Sequence, residues 1–366
     1  MSDKNTLVEP RTLKGFQDLL PEDVIARKTA VAGIEAVFAK YGFVPLETPA
    51  LEHLDVLLGA GGEETNKELF RLETPEEEPI ALRFDHTVPF ARLLAQYPDR
   101  LKVPVRRWAV GPVWRADKPD PGRFREFTQL DVDVAGAQTV AVDAELVALM
   151  CEAMTAVGAP RFAVLINNRR LIDALLEGCG IDDAPRQKHV LRVIDKLAKV
   201  GVDAIRLELG EGRVDASGDL IPGVHLDAGT IERILGFIAV NGATRAAVVD
   251  AVEQALPESA TATEALAEMR ELDACLTALG IGQEQALFQP SLARGLDYYT
   301  GPVFEITLPD APEFGSVGGG GRYNQLVERF LDRPIPCTGF SIGLDRLMAA
   351  LKHLGAVDEA KSTTQA

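Results

Sequence analysis

The stretch LARGLDYYTGPVFEI, Leu292–Ile306, decides how the chain is read. It sets an arginine, an aspartate and two adjacent tyrosines between a short apolar lead-in and a strand-like run. Arg294 offers a planar, multi-donor fork suited to a carboxylate or a phosphate. If the backbone here is extended, Tyr298 and Tyr299 point in opposite directions, so at most one of them faces a given pocket. Gly295 and Gly301 bracket the segment and leave room for close backbone approach. Taken alone, the stretch also reads as a strand entering a core with its tyrosine hydroxyls satisfied at the edge. Its neighbours in the chain shift the balance.

Downstream lies a run of four glycines, Gly318–Gly321, followed by Arg322 and Tyr323. Such a run lets main-chain N–H groups approach a ligand, as phosphate-binding loops do. It lacks the Lys-Ser or Lys-Thr of a P-loop and is not a dinucleotide fingerprint, and a glycine-rich turn between strands that leads into a helix is the plainer reading. GFSIGLDRL, Gly339–Leu347, reads as a strand leading into a final helix. There Arg346 could reach a phosphate, and Asp345 is expected as an ordinary first-turn acid.

Upstream, VRRWAVGPVWR, the loop ADKPDPGRF and REFTQLDVDVAG form a hairpin candidate. Its second arm alternates, with Leu130, Val132 and Val134 on one face and Gln129, Asp131 and Asp133 on the other. The hairpin could present Arg115 and Arg123 to a polyphosphate while Phe127 offers a ring face to a base, or it could be a charged surface hairpin. Asp85, at the strand–helix junction of LRFDHTVPFAR, joins Gln129 and Asp133 as polar groups suited to an ammonium or imidazole, unless they only form the wet face of a sheet.

With 366 residues the chain exceeds one ordinary domain. A hydrophobic share of 46% and a charged share of 25% are those of a globular protein. The net charge of −17 argues against general affinity for polyanions, so any nucleic-acid contact must be focused. No apolar run is long enough to span a bilayer, and MSDKNTLVEP has no secretion signal. Cys151, Cys179, Cys275 and Cys337 are too widely spaced for a zinc site or a disulfide framework, which fits a reducing cytoplasm. A helix is expected after Pro21, another over Ala144–Gly158, and a buried strand over Phe162–Ile166. From about 168 to 284 the pattern turns helical and Ala-rich, and this region reads as an insertion.

In this order the pieces resemble the catalytic core of class II aminoacyl-tRNA synthetases, and within them the histidyl-tRNA synthetase family. TLKGFQDLLPED looks like that family's N-terminal signature, and YGFVPLETPALE like its first motif, at the dimer interface. GPVWRADKPDPGRFREFTQ is similar to the second motif and GFSIGLDRL to the third, while RGLDYY and GGGGRY match the histidine-specific segments. The resemblance implies a mixed α/β (α+β) fold: an antiparallel sheet flanked by helices, with a mostly helical insertion. The expected division is 1–167 and 285–357 as the two parts of the catalytic core, 168–284 as the insertion, and 358–366 as a tail. It further implies that Arg115 and Arg294 are catalytic. Asp85, His86, Thr87, Gln129, Asp133, Arg294, Tyr298, Tyr299 and Tyr323 would bind histidine. Arg115, Asp117, Arg123, Phe127 and Arg346 would bind ATP, accompanied by Mg²⁺ with ligands not assigned. Histidine, ATP, tRNA(His) and a second copy of the chain are the expected partners, with no membrane. Family members continue into an anticodon-gripping domain of about a hundred residues, and this chain stops at Ala366 where that domain is expected to start. That departure leaves room for a paralogue, the histidine-binding regulatory subunit of ATP phosphoribosyltransferase. Against the paralogue stands the complete arginine set with Phe127, which a histidine sensor does not need.

Overall fold

The alternation in EFTQLDVDVA builds the centre of the protein. The structure is a computed structural model and describes residues 8–60, 66–215, 217–293 and 298–357. Numbered along the chain, the strands are β1 (Val44–Pro45), β2 (Leu51–His53), β3 (Arg71–Glu73), β4 (Pro79–Leu82), β5 (Val105–Trp114), β6 (Glu126–Ala135), β7 (Ala163–Asn168), β8 (Gly212–Val214), β9 (Leu220–Pro222), β10 (Ala286–Phe288), β11 (Pro302–Thr307), β12 (Ser316–Arg322) and β13 (Cys337–Gly343). Eight of them form one sheet in the order β1-β5-β6-β13-β12-β11-β7-β10. It is antiparallel except at its two edges, where β1 runs parallel to β5 and β10 parallel to β7. The expected hairpin is present, with β5 and β6 in register from Val105↔Ala135 to Trp114↔Glu126.

Because side chains alternate along a strand, this register sorts the sheet into two faces. Leu130, Val132, Phe340, Ile342, Phe304 and Ile306 share one face and are buried. The helices Pro21–Lys40 and Val140–Ala156 pack on the core that they join. Gln129, Asp131 and Asp133 turn to the opposite face, aligned with Gly343, Ser341 and Gly339 of β13. That face is the floor of a cleft.

Two local expectations are corrected. The glycine run is a central strand, β12, between β11 and β13, rather than a turn leading into a helix. A Cβ on Gly320 would lie 2.0 Å from the Gly339 carbonyl oxygen, and one on Gly321 would lie 2.7 Å from that of Pro302. Glycine lets the neighbouring strands close on one another where any side chain would hold them apart. Only a short 3-10 turn, Val327–Arg329, follows. The tyrosine pair is not part of a strand either, because Tyr298 sits in a turn and β11 starts at Pro302. Arg294 to Asp297 lie outside the described residues. Their lead-in is held by Asn167, whose amide donates to the carbonyls of Pro290 (3.0 Å) and Leu292 (2.9 Å).

The helical region consists of Arg169–Gly178, Ala184–Asp195, Leu197–Leu209, Ala228–Ile238, Arg245–Ala255 and Ala260–Ala278, interrupted by the β8–β9 hairpin. Its Asp, Asn, Ser and Thr punctuation acts as capping. Asn168, Asp183, Asp227, Thr244 and Ser259 each accept a hydrogen bond from a first-turn N–H. Leu266, Met269, Leu272 and Leu276 bury one stripe of Ala260–Ala278, in a core continuous with that of the sheet.

Candidate active site

The cleft has a volume of about 670 Å³ and runs along the polar face of the sheet. Its inner end is acidic. Asp133 accepts from the hydroxyl of Tyr323 and pairs with Nη2 of Arg107 at 2.5 Å. Arg107 is fully buried, stands 4.7 Å from the Phe90 ring centroid and donates to the His86 carbonyl at 3.0 Å. Asp131 accepts from Ser341 Oγ at 2.5 Å. Asp85 Oδ1 accepts from the backbone N–H groups of Thr87 and Val88 at 3.1 and 3.0 Å, where the Thr87–Gln96 helix begins. Burial pushes Asp85 up to about 6 against the pull of the Val88 N–H, and Asp133 up to about 6 against that of Arg107. Asp131 is raised by burial as well. Three buried carboxylates beside two arginines, Arg107 and Arg115, favour a further cationic group. Gln129 aims the same way, since its buried Oε1 has no hydrogen-bond partner among the described residues. An orphaned acceptor of this kind fits a ligand N–H.

Three tyrosines wall this end. The Tyr298 and Tyr299 rings meet edge to face at 4.7 Å, and Tyr298 and Tyr323 at 6.1 Å. Both members of the adjacent pair line the cleft, contrary to the expectation from an extended backbone, because the turn at Tyr298 frees them from strand alternation.

The outer end carries the arginines. Arg115, just beyond β5, donates from Nε to the Phe84 carbonyl at 2.9 Å and stands 5.2 Å from the Phe127 ring centroid. Asp117 is gripped by Arg123 through Nε at 2.8 Å and Nη2 at 2.5 Å. Burial works against its charge, but a hydrogen bond with Glu68, then Arg123 and the neighbouring Arg115, hold its carboxyl below the usual range. Gly122 adopts φ +67°, and a Cβ there would lie 3.1 Å from Cα of Arg346. Glycine therefore lets the hairpin tip rest on the Leu344–His353 helix. Arg346 donates to the Ser316 carbonyl at 2.9 Å. Asp345 is more than a first-turn acid: it accepts from Gln17 (2.9 Å), Arg27 (2.8 Å) and the Thr128 N–H (2.7 Å), tying the N-terminal segment to β6.

Of the residues nominated from the sequence, Asp85, Thr87, Arg115, Asp117, Arg123, Phe127, Gln129, Asp133, Tyr298, Tyr299, Tyr323 and Arg346 all line this one cleft. Arg294 lies outside the described residues. His86 does not line the cleft. Its ring is buried beside the Gly111 carbonyl at 3.2 Å, and burial with Arg83 and Arg107 pushes it down to about 3. A neutral, enclosed imidazole of this kind supports the floor. Asp131, Glu68, Glu305 and Ser341 also line the cleft and were not nominated. The i, i+2 spacing of Asp131 with Gln129 and Asp133 was a usable signal, whereas Glu68 gave none. Among the described residues no group of three or more His, Cys, Asp or Glu side chains is placed to hold a metal ion.

An antiparallel floor with an acidic, tyrosine-walled end and an arginine-lined end has the architecture of the catalytic core of class II aminoacyl-tRNA synthetases. The profile of the histidyl-tRNA synthetase family matches residues 15–347. The chain is 43% identical over 361 residues to a histidine–tRNA ligase of Caulobacter vibrioides, covering 95% of this chain and 73% of the relative. It is 41% identical over 362 residues to the histidine–tRNA ligase of Paracoccus denitrificans, covering 94% and 73%. Among solved structures, a histidyl-tRNA synthetase from Nostoc superposes with a TM-score of 0.82 at 30% identity, over 96% of this chain and 77% of that one. A Bacillus halodurans protein described as an ATP phosphoribosyltransferase regulatory subunit/histidyl-tRNA synthetase superposes with a TM-score of 0.78 at 26% identity, over 94% and 84%. The chain belongs to the histidyl-tRNA synthetase family, and its class of activity is that of an aminoacyl-tRNA ligase.

Proposed function

We propose that the cleft activates L-histidine with ATP and passes the histidyl group to tRNA(His). In the first step a carboxylate oxygen of histidine attacks the α-phosphorus of ATP, and pyrophosphate leaves. In the second, a hydroxyl of the terminal ribose of tRNA attacks the acyl carbon, and AMP leaves. Neither step needs a strong base; both need alignment and charge neutralisation. The observation that carries the reading is the joining, on one floor, of the acidic, tyrosine-walled end with Arg115, Arg123, Phe127 and Arg346. Asp85, Thr87, Gln129 and Asp133 would take the ammonium of histidine and its surroundings. Tyr298, Tyr299 and Tyr323 would line its imidazole, so that apolar isosteres leave buried groups unpaired. Arg115 and Phe127 would hold the α-phosphate and the adenine face, Asp117 the adenine edge, and Arg123 with Arg346 the outer phosphates. Arg294 would neutralise charge at the α-phosphate.

Mg²⁺ takes one or two carboxylates beside substrate phosphates. Glu305 of β11 lines the cleft as do Ser316 and Arg346, and its chemistry fits that role; the ion would supply charge neutralisation on the triphosphate. Dimerisation is expected through the first motif, by the family resemblance. A reducing, cytoplasmic setting accords with four free cysteines, and among the described residues no helix is long and apolar enough to cross a membrane. Residues 168–284 are proposed as the insertion that divides the core into 1–167 and 285–357, with 358–366 as a tail. The regulatory reading is not favoured, because a histidine sensor has no use for an intact nucleotide end. Single-turnover incubation with histidine and α-labelled ATP should yield labelled histidyl-adenylate, and glutamine or asparagine should not replace histidine. Equal yields with all three would overturn the assignment.

A further inference from the structure

Glu68 lies beside the nucleotide end of the cleft without belonging to any motif that led to it. Its backbone carbonyl accepts from the Ala116 N–H at 2.9 Å, which fastens its segment to the start of the hairpin loop. Its half-buried side chain lines the cleft and is hydrogen-bonded to the Asp117 carboxyl. Two carboxyl groups can share a hydrogen bond only through a proton, so one of them must be neutral. Asp117 Oδ2 also accepts from both Nε and Nη2 of Arg123, which favours its ionised form, and Glu68 is therefore the member that holds the proton. The other charged groups facing Glu68 are Arg115 and Arg123.

We propose that Glu68 is a positioning residue of the nucleotide subsite, a neutral carboxylic acid that donates to Asp117 and orients that carboxylate to accept from the exocyclic amino group of adenine. The proposal rests on the reading of Asp117 as the adenine-edge acceptor. A neutral Glu68 avoids placing a second negative charge beside a triphosphate. Desolvation, reinforced by Asp117, pushes Glu68 up to about 7, so the acid form is present below neutrality and is lost as pH rises through that value.

The test is a calorimetric titration of the whole chain with ATP from pH 6 to pH 8.5, comparing wild type, Glu68→Gln and Glu68→Ala. A glutamine keeps an N–H donor toward Asp117 and cannot ionise. For wild type the dissociation constant should rise roughly tenfold across this range, one ionisation weakening binding by up to that factor per pH unit. Glu68→Gln should stay near the low-pH wild-type value throughout, and Glu68→Ala should bind more weakly than wild type at pH 6 without the wild-type rise across the range. Ionisation of ATP itself affects all three alike and cancels in the comparison. Histidine titrations report that each variant is folded. Parallel profiles for wild type and Glu68→Gln, Glu68→Ala binding as tightly as wild type at pH 6, or no ATP binding by wild type would each overturn the proposal. ATP binding with the expected profiles but without adenylate formation would sink the ligase reading alone.

Discussion

Adding one methyl group at Gly339 should disable the acidic end of the cleft, where histidine is proposed to bind. Gly339 faces Asp133 in the β13–β6 register. A Cβ there would lie 2.2 Å from Asp133 Oδ1 and 2.4 Å from the Val132 carbonyl oxygen, so either the strands part or the carboxylate moves by about an ångström to reach ordinary contact. The moving carboxylate is 2% exposed and holds both Tyr323 and Arg107. Overpacking of this kind costs about 1–3 kcal/mol, and a weakened buried hydrogen bond adds about 1 kcal/mol. We expect Gly339→Ala to lose about 2–4 kcal/mol of stability in urea unfolding. In histidine-dependent exchange it should raise the KM for histidine at least tenfold, equivalent to about 1.4 kcal/mol, with the KM for ATP changed far less. The same chemical change at Gly236, an exposed position in Ala228–Ile238 with open space around it, is the control. A Gly339→Ala enzyme with wild-type KM for histidine would refute the placement of Asp133 at the amino-acid end.

Gly236→Ala should itself stabilise the protein by about 0.5–1 kcal/mol, the helix-propensity difference; a loss of stability in urea melts would contradict the open helical site. Asp345→Asn removes the charge that pairs with Arg27 at 2.8 Å, both side chains being largely buried, and should cost about 3 kcal/mol; a change below about 0.5 kcal/mol would show that the three-way anchor is dispensable. Arg123→Ala should raise the KM for ATP about tenfold, the loss of one charge-assisted contact, and leave that for histidine unchanged; equal shifts in both would dissolve the distinction between the two ends. His86 is held neutral in the fold well below its unfolded value, so its contribution is complete above pH 6.5 and is lost as pH falls from there toward 3. The stability gap between wild type and His86→Gln, from urea midpoints, should therefore narrow between pH 7.5 and pH 5; a constant gap would refute the shift.

Much of this site was legible before the structure because period-2 alternation in β6 is unambiguous: one face apolar, the other carrying Gln129, Asp131 and Asp133. The fold of the hairpin followed from the same pattern. The glycine run misled because glycine is ordinarily unfavourable inside a strand; what reverses that preference is the approach of Gly339 and Pro302 from other parts of the chain, which no local reading contains. The tyrosine pair misled for the converse reason, since alternation was assumed where a turn intervenes. His86 was nominated through the resemblance, yet a helix start turns consecutive residues in different directions, and of Asp85, His86 and Thr87 only the first and last line the cleft. Glu68 and the anchoring role of Asp345 depend on partners 49 and 217 or more residues away along the chain (Asp117 for the first; Thr128, Arg27 and Gln17 for the second) and so leave no trace in local sequence.

The central claim is that one cleft brings histidine and ATP together for adenylate formation. The most direct measurement is the rate at which labelled pyrophosphate enters ATP in the presence of histidine, for wild type and for Arg115→Ala, with histidine affinity measured alongside. The account predicts rapid, histidine-dependent exchange by wild type and its loss in Arg115→Ala, while histidine still binds. Histidine binding by wild type without any exchange would contradict it and leave a histidine-binding module in its place.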